Sequence, residues 1–164
     1  MALRSSCSRS ITRSGVFSTS SSSRRSMQVK AALDPTAAAA VTQQATAFAI
    51  VLAAEAAFSR SNVPEADKGR PQVPKVAAGV GGSLAAALLV GQGGAGVIPT
   101  AGLVLGFAVA AGMLAYNTQR ALDLQYNDGD WPGPKAWPAG MGLISFFALN
   151  VFFQALVQDI STTV

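Results

Sequence analysis

The chain has 164 residues, half of them apolar, with no histidine and one cysteine, Cys7, which excludes an internal disulfide and the usual His/Cys metal sites. Its formal charge of +4 misleads, because Arg4, Arg9, Arg13, Arg24, Arg25 and Lys30 supply half of the twelve basic residues and no acid precedes Asp34. Beyond residue 30 there are six basic and eight acidic residues, a net charge of −2, which argues against nucleic acid as a partner.

Residues 1–30 carry those six basic residues together with eleven serines. This Arg-rich, Ser-rich, acid-free composition is that of an organellar transit peptide, and the continuous apolar core of a secretory signal is missing. Processing is expected near Met27–Ala32, and the serine density favours a plastid over a mitochondrion. Cys7 leaves with the leader, so the mature part, 31–164, has no thiol.

A first helix is expected over 36–58. Gln43, Gln44 and Glu55 make it less apolar than the spans that follow, so it either crosses the membrane with the face shared by Gln44 and Glu55 turned to the bundle or lies in the interface. The next segment, Ser59 to Lys75, is polar and holds three prolines and four cations, Arg60, Lys68, Arg70 and Lys75. By the positive-inside bias it faces the stroma, or the matrix in a mitochondrion.

Val76 to Gln119 then contains no Asp, Glu, Lys or Arg. That length exceeds the roughly 20 residues of one crossing and suits two. Gly91-Gln92-Gly93-Gly94-Ala95-Gly96 breaks the run and Pro99 suits a new first turn, giving spans near 76–91 and 98–118. Ala78, Gly82 and Ala86 on the first, and Gly102, Gly106 and Ala110 on the second, repeat every four residues. Such faces let helices approach closely in lipid, so these six residues are the expected packing positions.

Arg120 returns the chain to the stromal side, and Arg120 to Lys135 is polar, with Asp128-Gly129-Asp130 reading as a solvated turn rather than a calcium loop. Trp131 and Trp137 flank Pro132-Gly133-Pro134 and are the expected interfacial anchors. A last span near 138–157 carries Phe146, Phe147, Phe152 and Phe153, with Asn150 as its one strongly polar midplane residue. Glu55 and Asn150 are therefore the expected polar intramembrane contacts. The expected fold is an all-α membrane protein, a small bundle of three to four transmembrane helices. With four crossings, both mature termini lie away from the stroma.

No P-loop, dinucleotide motif or CxxC occurs, and without histidine or a mature thiol no usual catalytic constellation assembles, so no enzyme is expected. Oxygen or nitrogen ligands for a pigment come down to Glu55, Asn117 and Asn150, which interhelical hydrogen bonds explain equally well, and no cofactor is assigned.

Two stretches carry a resemblance. Gly81-Gly82, Gly91 and Gly96 leading into Pro99-Thr100-Ala101-Gly102-Leu103, with Gly106 and Tyr116, together with Lys135-Ala136-Trp137-Pro138-Ala139-Gly140-Met141 running on to Ser145, resemble the small transmembrane protein family that includes the plastid fatty-acid export proteins. The similarity spans residues 76–157. It departs from the family between the two motifs, where an additional short helix is usual and this chain has the polar, proline-bearing stretch from Leu122 to Lys135. The resemblance implies fatty-acid or lipid transport at the plastid envelope, with membrane lipids or fatty acid as partners. A non-catalytic accessory or assembly subunit of a thylakoid or inner-membrane photosynthetic or respiratory complex, or a self-associating protein, fits the same composition. The envelope is favoured over the thylakoid, and either over the mitochondrial inner membrane.

Overall fold

Prolines and caps set where the helices begin. In the computed structural model, which describes residues 33–93, 96–124, 133 and 135–163, Asp34 accepts hydrogen bonds from the Thr36 amide at 3.2 Å and the Thr36 hydroxyl at 2.6 Å. It thereby caps α1 (Pro35–Asn62), whose first residue is proline, the type best suited to a position with no amide to satisfy. The second helix, α2 (Val73–Gly91), also has proline in its opening turn, and Gly93 follows its end at φ 65°, a left-handed position that glycine takes without strain. Pro99 sits in the first turn of α3 (Val97–Asp123), as the sequence predicts, and Pro138 in that of α4 (Ala136–Thr163).

Neighbouring helices run antiparallel. Thr42, early in α1, donates to the Ala87 carbonyl late in α2; Gly102, early in α3, meets Leu89 and Val90 of α2; Thr100 of α3 reaches Asp159 near the end of α4; and Phe58 of α1 stacks on Trp137 of α4. The result is an up-down-up-down ring in which α1 adjoins α2 and α4, and α3 adjoins α2 and α4. The α1–α4 seam is the sparsest of the four. The first helix is a full member of this bundle, aligned with its neighbours.

Small side chains fill the centre: Ala45, Ala86, Ala110 and Ala148 are fully buried, interleaved with Phe48, Leu52, Leu103 and Phe152. No more than a third of the apolar stretch of any helix is covered by the others. The outside is correspondingly greasy, with Leu88, Val97, Ile98, Leu143, Phe147 and Phe153 all exposed. All four helices are long and apolar enough to cross a bilayer. At ~1.5 Å per residue the 28 residues of α1 span about 42 Å, beyond the roughly 30 Å of a hydrocarbon core, whereas the 19 of α2 just match it. An apolar exterior of this extent on helices of this length is that of a small multi-span membrane protein.

The ends of the ring are unlike. Every cation beyond residue 30, namely Arg60, Lys68, Arg70, Lys75, Arg120 and Lys135, lies at the end formed by the α1–α2 loop, the foot of α3 and the start of α4. The opposite end carries only Asp34 and Asp159 among the described residues.

Candidate functional site

At the cation-rich end a polar network is sealed inside the bundle. Arg120 is 3 % exposed and Glu55 7 %, and the two form a bidentate pair at 3.0 and 3.1 Å. The pair joins α1 to α3 across the diagonal of the ring. Arg120 further donates from Nε to the Gly69 carbonyl in the α1–α2 loop at 3.0 Å and from Nη1 to Asn117 Oδ1 at 3.3 Å. Ser59 Oγ donates to Glu55 Oε1 at 2.6 Å, and Asn117 Nδ2 reaches Ser145 Oγ of α4 at 3.4 Å. Two helices and a loop thus converge on one guanidinium, and Asn117 links it to a third helix, α4. Burying both charges is costly unless nearly every donor and acceptor is used, and this arrangement uses four of the five guanidinium N–H groups.

Three grooves open from this end onto the lipid-facing surface: one of about 410 Å³ between α3 and α4, and two others of unequal size. The larger, about 740 Å³, lies in the α1–α4 seam and is lined by Ile50, Ala54, Phe58, Trp137, Gly140 and Met141, with Glu55 in its wall. Phe58 and Trp137 stand at its mouth with ring centroids 4.9 Å apart. The smaller, about 250 Å³, lies between α2 and α3 under Lys75. Outside the spans, the Arg70 guanidinium hydrogen-bonded at 2.8 Å to Glu65 holds that carboxyl below its ordinary range, as Thr36 does for Asp34.

The expected packing positions fall on different seams. Gly102 and Gly82 serve α2–α3: a Cβ at Gly102 would stand 2.8 Å from Leu89, and one at Gly82 2.6 Å from Val109. Gly106 serves α3–α4, where a Cβ would strike the Phe152 ring. Ala86 and Ala110 are buried, while Ala78 is exposed in the wall of the smaller groove and its neighbour Gly79 receives Met113. Asn150 donates to the Phe146 carbonyl of its own helix at 2.8 Å. Trp137 is half exposed, whereas Trp131, the Asp128-Gly129-Asp130 turn and the leader 1–30 lie outside the described residues.

Sequence reasoning missed the partnership of Arg120 with Glu55 and the part played by Ser145 and Ser59, and it offered an interhelical hydrogen bond for Asn117 without naming the partner. One signal was available: a lone carboxylate in an apolar helix requires a cation, and Arg120 is the first basic residue after the long uncharged run.

The geometry defines a class, a four-helix membrane bundle with a buried ion pair beside a lipid-facing groove. No family model, curated protein or solved structure matches the chain.

Proposed function

We propose that this protein moves fatty acids or closely related acidic lipids across the plastid envelope. The observation that carries the reading is the apolar α1–α4 groove, whose wall contains the very carboxylate that Arg120 holds in its fork. An acyl chain suits a lining of Ile50, Ala54, Phe58 and Met141, and its carboxylate matches a guanidinium that already binds one carboxylate in bidentate fashion. An incoming carboxylate therefore competes with Glu55 for the same guanidinium fork. The transit-peptide composition of residues 1–30 and the resemblance over residues 76–157 support the plastid envelope, and the cation-rich end supports a stromal orientation for the network.

The test uses the full chain with Trp131→Phe, so that Trp137 at the groove mouth reports alone. A dibrominated C18 fatty acid should quench Trp137 saturably and more strongly than its methyl ester. Gly140→Leu should abolish the difference by filling the groove, since a Cβ at Gly140 meets no atom within 4 Å. Equal quenching by acid and ester would overturn the acidic-lipid reading. Co-migration of the native protein with a photosynthetic or respiratory complex at fixed stoichiometry, with no quenching, would replace it with the accessory-subunit reading.

A further inference from the structure

The α2–α3 groove differs in character from the one between α1 and α4 and plays no part in the reading above. Its mouth is Lys75, in the first turn of α2, and Tyr116 of α3; its interior is Ala78, Gly79, Gly112, Met113 and Val109. Going from Tyr116 to Val109 descends seven residues of α3, about 10 Å toward the middle of the bundle. The groove therefore grades from cationic at the membrane edge to wholly apolar inside, the polarity of a lipid lying alongside a protein.

Lys75 is exposed and makes no ion pair with any described carboxylate: the ion pairs among the described residues are Glu55–Arg120 and Glu65–Arg70. Its ammonium lies 5.1 Å from the centre of the Tyr116 ring, which places the charge over the groove mouth. Tyr116 is itself held in place, its hydroxyl accepting from the Gln72 amide at 2.7 Å and its ring lying 5.7 Å from the Arg120 guanidinium. A held ring and a lysine that pairs with no described carboxylate thus sit above a narrow apolar slot.

We propose that this groove binds one anionic diacyl lipid of the surrounding bilayer, with its headgroup phosphate on Lys75 and one acyl chain along Ala78, Gly79 and Gly112. Charge complementarity selects this occupant. A second copy of the chain is disfavoured, because twofold pairing through this face in one membrane sets two Lys75 ammonium groups against each other at the same depth. A zwitterionic lipid fills the slot equally well but leaves the lysine with a weaker partner.

The experiment is native mass spectrometry of the full chain released from bilayers of equal phosphatidylglycerol and phosphatidylcholine. Wild type should retain one phosphatidylglycerol in preference to phosphatidylcholine. Lys75→Gln should lower that preference by about fivefold, the worth of one basic residue near a charged surface, and Lys75→Arg should restore it. Gly112→Leu should lower retention of both lipids with no loss of thermal stability, because a Cβ there meets nothing within 4 Å. Unchanged phosphatidylglycerol preference in Lys75→Gln, or unchanged lipid retention in Gly112→Leu, would overturn the proposal. So would a wild-type dimer that Gly112→Leu dissociates, since the occupant would then be a second copy.

Discussion

The two ends of the bundle hold polar groups inside the protein in different ways. At the cation-rich end Arg120 and Glu55 are both nearly sealed off, join opposite corners of the ring, and are hydrogen-bonded to a loop carbonyl and to two further helix side chains. At the other end the buried Asp159 accepts a short hydrogen bond, 2.5 Å, from Thr100, and this bond ties the adjacent pair α3 and α4. A network that spans the diagonal holds the whole ring in register, whereas one that ties neighbours reinforces a seam already closed by packing. The Arg120–Glu55 network should therefore contribute more to stability than the Thr100–Asp159 hydrogen bond, even though both involve a buried carboxylate.

The strongest way to break this comparison is Arg120→Met, which leaves Glu55 buried without its cation. It should cost ~3–5 kcal/mol, read as thermal unfolding in detergent. The double variant Arg120→Met with Glu55→Gln should regain part of that loss, because no uncompensated charge remains. Thr100→Val at the other end should cost only about 1–2 kcal/mol, and equal losses at the two ends would refute the asymmetry. Midway along the bundle, Gly106→Leu should cost ~1–3 kcal/mol by driving a side chain into the Phe152 ring. Adding Phe152→Ala should return some of it, and absence of rescue would mean that the α3–α4 seam is not the site of the damage.

The smallest effect concerns Asp34. Its carboxyl is held below the ordinary value by the side-chain and backbone hydrogen bonds of Thr36, so the cap contributes above the unfolded-state pKa and is lost as pH falls through the lower folded one. Amide exchange at Ala37 to Ala39 should quicken only on that acid side, and Asp34→Asn should flatten the pH dependence.

The helices themselves are legible in the sequence. An uncharged run from Val76 to Gln119, broken by glycines and restarted at Pro99, demands two spans, and α2 and α3 occupy it. Helix ends are less legible: α1, α3 and α4 continue to Asn62, Asp123 and Thr163, beyond the spans expected to end at 58, 118 and 157. A helix leaving the hydrocarbon keeps its backbone hydrogen bonds, and polar side chains there change its surroundings rather than stop it. The same extension hides the network. Arg120 reads as the charge that returns the chain to water, yet it stands on a continuing helix whose inner face carries Asn117 three residues earlier. Asn150 shows the converse: it is conspicuous in an apolar run but bonds to its own helix, because a carbonyl four residues back is always within reach. Which seam each glycine serves also depends on the rotation of α3 between its neighbours, and spacing alone does not specify that.

The separation of 65 residues between Glu55 and Arg120 has a bearing on how the protein is made. Glu55 is delivered to the membrane in the first helix, long before its counter-charge exists, so until the third helix arrives its carboxylate lacks the partner with which it is buried. Final docking of α1 is thereby postponed to the completion of α3. Because the Gly69 carbonyl meets the same guanidinium, the α1–α2 loop gains that contact only when α3 is complete, and a chain halted before Arg120 lacks it.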